Sequence, residues 1–190
     1  YTRSRADLDG FAFTPPFLAT DDPEYQRQEQ IVGYAGINAD LFGGALKNRV
    51  AINYALVDRA IYDPTATPAK TSSGRGRNLR YEYQGIADLA PWARATFGAE
   101  HQKETYRTFD SFSGIGRKEA DTESVYGDLH VKPAEGINIG AGVRYDDHSG
   151  FGSATTKSAD ASYSPDQGVT RIKASYGEGF KAPSLYQLFG

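Results

Sequence analysis

"GGALKNRVAINYALVDRAIYDP" runs from Gly43 to Pro64. From Val50 every second residue is apolar: Val50, Ile52, Tyr54 and Leu56. A helix would repeat its apolar residues every three to four positions, so this period of two indicates a strand with one apolar face. Gly43-Gly44 at its start can adopt positive φ, which a tight hairpin turn requires. The segment is therefore one strand of a hairpin with the run before it.

The same pattern recurs along the chain. Period-two alternation predicts eight strands, at about 29–42, 45–62, 78–89, 92–107, 119–132, 136–147, 156–164 and 169–179. Helical periodicity is almost absent. Connections alternate between short ("PAEG", 133–136; "PDQG", 165–168) and longer ("DPTATPAKTSSGRGR", 63–77; "FDSFSGIGRK", 109–118; "HSGFGSAT", 148–155). An up-and-down antiparallel meander with tight turns on one rim and longer loops on the other has this arrangement.

Sorting the strands by face separates the charges. One face carries Ile31, Ala35, Ile37, Val50, Ile52, Tyr81, Phe97, Val125, Leu129, Ile139, Val143, Ala161, Ile172 and their like, with no charge among them. The other holds Asp40, Arg49, Arg80, Glu82, Asp88, Arg94, Glu100, Asp128, Arg144 and Asp160. A soluble β-sandwich and a membrane barrel both alternate in this way. Three features favour the barrel. Several strands reach ten or more residues, the uncharged face is rich in Ala and Gly, and Tyr stands near its strand ends as in an interfacial girdle.

Composition narrows the function classes. Net charge is −3, so no basic field points to nucleic acid. Cysteine is absent, which excludes disulfides, thiolate metal sites and Cys nucleophiles. His101, His130 and His148 share no metal-ligand spacing, and no catalytic constellation is visible, so the chain is not expected to be an enzyme. Its first residue is Tyr rather than Met, and "YTRSRADLDG" reads like a strand already ending. Both ends are expected to be cut from a longer protein.

"ASYGEGFKAPSLYQLFG" (174–190) carries a resemblance. The stretch from Val125 resembles the barrel of TonB-dependent outer-membrane receptors. Ala174-Ser175-Tyr176-Gly177 and Phe180-Lys181-Ala182-Pro183-Ser184-Leu185 carry it, with "GVRYDDHSGFGS" (142–153) before them. The segment 43–64 resembles the branch that includes the vitamin B12 receptor. The resemblance implies an all-β fold, an antiparallel up-and-down meander forming part of a transmembrane β-barrel of about 22 strands. Residues 1–190 would supply about eight of them, with the plug and the remaining strands absent, and 6–26 would be an extracellular loop. The implied function is uptake of a large scarce nutrient, cobalamin or an iron–siderophore, across the outer membrane of a Gram-negative bacterium. The implied partners are outer-membrane lipid and lipopolysaccharide, the TonB complex through the missing plug, and the small-molecule substrate. A complete eight-stranded barrel with a structural or adhesive role, and a soluble ligand-binding sandwich, stand as alternatives.

No cofactor is required, but Asp7 and Asp9 in "RADLDG" could bind calcium through their carboxylates. Phe112, Phe151 and Tyr186, in the presumed outer loops, are candidate substrate contacts. Lys70, Arg75 and Arg77 are candidates for lipopolysaccharide phosphates or an anionic substrate.

Overall fold

The computed structural model describes residues 1–11, 19–110, 114–165 and 169–189. It is a single antiparallel sheet of nine strands in sequence order. They are β1 (Thr2–Phe11), β2 (Ala19–Leu41), β3 (Leu46–Tyr62), β4 (Lys70–Ala90), β5 (Ala93–Asp110), β6 (Gly114–Ala134), β7 (Ile137–His148), β8 (Gly152–Tyr163) and β9 (Ile172–Gly177). A short helix, α1 (Leu185–Phe189), follows.

Each strand pairs with its sequence neighbours, and β1 and β9 form the two edges of the sheet. The described strands thus neither close on themselves as an eight-stranded barrel nor stack as the two layers of a sandwich. The predicted stub of a ninth strand is β1.

Several strands outrun their predicted limits. The span 6–26, predicted as a loop, is largely strand: Asp7 pairs with Tyr25 and Asp9 with Asp21 across β1 and β2. The loop 63–77 shrinks to 63–69, and the connection 109–118 gives way to β5 reaching Asp110 and β6 starting at Gly114. These outer portions are polar on both faces, so period-two alternation fades. The backbone still completes its ladder there, because pairing satisfies N–H and C=O groups whatever the side chains are.

The tight-turn rim follows the sequence more closely. Residues Phe42–Gly44 form a 3-10 turn, with φ of 66° at Gly43 and 94° at Gly44. Pro91-Trp92 and Glu135-Gly136 join β4 to β5 and β6 to β7. The link from β8 to β9 is longer than "PDQG" predicts, spanning 164–171.

The uncharged face is open to its surroundings. Ile37 is 76% exposed, Val50 58% and Val125 55%. Its upper limit, away from the tight turns, runs Ile31, Leu56, Leu79, Ala99, Val125, Tyr145, Ala159, Tyr176 from β2 to β9.

This line is not a register row. The row through Ile31 continues to Leu56, Arg77, Thr105 and Glu119. The apolar limit slides down the strands by about ten residues in seven strand-to-strand steps, which at ~3.3 Å per residue and ~4.8 Å per strand is a slope of about 45°. A belt horizontal in a bilayer therefore requires strands tilted by about 45°, as transmembrane strands are. The eleven-residue stretches Ile31–Leu41 and Leu79–Leu89, ten steps long and tilted by that angle, rise about 23 Å, close to the ~25 Å apolar band of outer-membrane barrels.

Candidate functional site

Charges gather on the opposite, inner face, and most find partners there. Arg49 Nη2 donates to Glu82 Oε1 at 3.0 Å, and Asn53 Nδ2 to Glu82 Oε2 at 3.2 Å. Arg144 Nη2 meets Glu100 Oε2 at 2.8 Å, while its Nε donates to Asp146 Oδ1 at 2.9 Å. Asp146 also accepts from Ser124 Oγ at 2.6 Å. These networks pair opposite charges along the inner wall.

Beyond the belt, α1 folds back over the inner wall. Ser184 supplies the cap: its backbone N donates to Gln187 Oε1 at 2.9 Å, and Gln187 N donates to Ser184 Oγ at 3.3 Å. This reciprocal pair is a capping box. Leu185, 8% exposed, then packs with Tyr106 of β5 (7% exposed) and Ala120 of β6. Gly74 on β4 makes room for the Tyr106 ring, since a Cβ there would stand 2.6 Å from the phenol oxygen.

Tyr186 leans edge-on against Tyr106, with centroids 5.9 Å apart and planes at 85°. Arg59 of β3 reaches it from the other side, with Nη1 donating to Tyr186 Oη at 3.4 Å. Arg59 Nη2 donates to Gln28 Oε1 at 3.0 Å, and its Nε is buried with no hydrogen-bond partner. Burial pushes the Tyr106 phenol above its usual pKa; Tyr186 adds to this and Arg59 opposes it.

Between α1 and the wall lies a cleft of about 790 Å³. Gln26, Arg59, Asn78, Glu104, Tyr106 and Tyr186 give it a polar, aromatic lining. A guanidinium with an unused N–H, flanked by two phenols, suits an anionic ligand bearing planar groups.

The predicted site residues are dispersed. Tyr186 is in the cleft, on a helix rather than the predicted loop. Phe151, 46% exposed, lies in the β7–β8 connection with its ring tilted at 51° against His148, centroids 5.0 Å apart, and does not line the cleft. Phe112 lies outside the described residues. Arg75 and Arg77 share the belt side of β4, where Arg75 pairs with Asp58, and Arg77 also borders the cleft. Lys70, near the start of that strand, lies over the Phe109 ring at 5.5 Å. Asp7 and Asp9 sit in β1 rather than in a loop, and Asp7 pairs with Arg5 at 3.3 Å. Among the described residues no group of three or more His, Asp or Glu is placed to hold a metal ion.

Arg59 and Tyr106 escaped the sequence reading. Strand parity could have found Arg59, which shares the inner face with Arg49 and Asn53.

A family model described as TonB dependent receptor-like, beta-barrel matches residues 1–190. The chain belongs to this family. The TonB dependent receptor-like barrels are receptors rather than enzymes. Two solved siderophore receptors share the fold. One is PirA from Pseudomonas aeruginosa, with TM-score 0.69 and 20% identity over 88% of this chain and 29% of that one. The other is PirA from Acinetobacter baumannii, with TM-score 0.69 and 17% identity over 87% and 27%. The chain thus spans under a third of the length of these receptors. No curated protein sequence gives a significant match.

Proposed function

We propose that this chain is a wall segment of a TonB-dependent receptor in the outer membrane of a Gram-negative bacterium, and that the receptor imports an iron–siderophore. The observation that carries this reading is the sloping uncharged belt, whose tilt and height suit a bilayer. The cleft beneath α1 would meet substrate on the outer side, and transport past a plug would draw on the TonB complex. An anionic ferric chelate suits Arg59 and its two phenols better than a neutral ligand would. The resemblance of 43–64 to the vitamin B12 branch makes cobalamin the competing substrate.

Titrating the full-length receptor, purified from outer membranes, with ferric siderophores and with cobalamin decides between them. Saturable ferric-chelate binding weakened by Arg59→Ala is the expected result. Saturation by cobalamin alone would transfer the assignment to the corrinoid branch.

A further inference from the structure

Glu104 of β5 breaks the rule that inner-wall charges pair. It is half-buried and lines the cleft. Two cations on the same face are its diagonal neighbours, close enough for a long side chain to reach it. Both go elsewhere. Arg80, opposite Gln102 on β4, turns to Glu82 at 3.8 Å. Lys118, opposite Tyr106 on β6, lies over the Phe189 ring at 4.8 Å. Among the described residues no cation stands within ion-pair distance of Glu104.

The carboxylate is nonetheless held in place. Asn78 Nδ2, directly across the β4–β5 pair, donates to Oε1 at 3.2 Å, and Gln102 Nε2 donates to the same oxygen at 3.0 Å. Both donors are neutral amides. Arg59 is steadied in the same way by the Gln28 amide oxygen, with its Nε–H unused. The cleft therefore carries two opposite charges, each positioned and neither paired with an ion. They are too far apart to pair with each other. Arg59 faces Gly74 and Gly74 faces Thr108, so Glu104 is two strands across and four residues along, about 16 Å away between Cα atoms. Two phenols link the ends: Tyr186 meets Arg59, and Tyr106 stands two residues from Glu104 on the same face. Of the other charges on the lining, Asp110 has an interaction of its own, and Arg77 borders the cleft from the belt side.

We infer that Glu104 is a second recognition point of the cleft, and that the ligand is zwitterionic, an anionic chelate that also carries a protonated amine. This rests on the reading of the cleft as a ferric-chelate site. The anionic part meets Arg59, planar groups lie along the two phenols, and the ammonium donates to the Glu104 carboxylate. A half-buried carboxylate without a counter-ion is destabilising, and a bound ammonium offsets that cost. A chelate that is anionic throughout meets repulsion at the same end. Glu104 thus sorts ligands of one iron-binding chemistry by the charge of their side groups.

The test titrates the full-length receptor, purified from outer membranes, at neutral pH with two probes. One is a synthetic ferric tricatecholate bearing a pendant primary amine, and the other is the same chelate with that amine acetylated. The parent should bind the amine form about tenfold more tightly. Glu104→Gln keeps the shape and one accepting oxygen but removes the charge, so this ratio should fall to about one. Arg59→Ala should weaken both forms alike. Glu135→Gln, exposed in the turn between β6 and β7, should leave the ratio as it is in the parent. Equal binding of the two forms by the parent, or a ratio that survives Glu104→Gln, overturns the inference and leaves the chelate reading standing. Saturable binding of neither form, by a receptor whose heat-modifiable migration shows an intact barrel, overturns the chelate reading and the inference with it.

Discussion

Arg59 on β3 and Tyr186 on α1, 127 residues apart in sequence, are joined across the inner wall by a 3.4 Å hydrogen bond from Nη1 to the phenol oxygen. The guanidinium carbon also lies 5.9 Å from the ring centroid. Both contacts sit at the long end of their ranges, and each is worth about 1 kcal/mol or less. A helix of five residues cannot stand unaided in water. The position of α1 therefore depends on Leu185 packing beneath it and on Arg59 reaching it from β3.

Leu185→Ala removes the buried anchor and should weaken the docking of α1 by about 2 kcal/mol. Hydrogen exchange at the amides of 185–189 should then accelerate roughly thirtyfold. Arg59→Ala should accelerate it only about fivefold, since its contacts are weaker. Equal, small effects from both would mean that α1 is held elsewhere.

Gly74→Ala is predicted to act on α1 without touching it. The added methyl carbon would stand 2.6 Å from the Tyr106 oxygen and 3.3 Å from its ring, so the ring must swing away from Leu185. A spin label at Gln187 should report greater mobility. An unchanged label spectrum would show that Tyr106 accommodates the methyl in place.

Ile37→Arg distinguishes lipid from water on the uncharged face. Ile37 is 76% exposed in the isolated wall, so in a water-facing protein the change would be close to neutral. In a bilayer, near the middle of the belt on β2, it should cost about 2–4 kcal/mol. Folding into lipid vesicles, followed by heat-modifiable migration, gives the measurement, and a neutral outcome would sink the membrane reading.

Asp63 gives a pH signature to the β3–β4 loop. Its carboxylate accepts from Thr65 Oγ1 at 2.6 Å and from Thr65 N at 2.7 Å, and these bonds hold its pKa below the ordinary 3.8. A depressed folded pKa means that the ordering is fully present above the unfolded value and is lost as pH falls through the folded one. Exchange at the Thr65 and Ala66 amides should therefore accelerate once the pH drops below 3.8. Asp63→Asn should abolish that pH response; its persistence would point to another group.

The sequence was most legible where water and lipid sort the residues. Ile31 to Leu41 and Val50 to Leu56 alternate because one side of each strand must avoid charge, and their predicted strands match β2 and β3 there. Nothing enforces alternation above the belt, so Tyr25 to Gln28 and Thr108 to Asp110 read as loop or loop edge although both are paired strand. Helix α1 was missed because "SLYQLF" is too short for a helical period, although Ser184 and Gln187 spell its capping box. The cleft was legible only through Tyr186. Tyr106 and Arg59 acquire meaning when Leu185 and Tyr186, 79 and 127 positions later, fold over them.

The diagonal course of the belt also governs which changes in strand length this wall tolerates. Removing two residues from β5 between His101 and Tyr106 keeps every remaining side chain on its own side and only shortens the outer rim. Removing one turns Tyr106 outward, strips Leu185 of its seat and carries Glu104 or Arg107 to the opposite surface. Natural variation in such walls should accordingly come in even steps within strands and in any number within the outer connections.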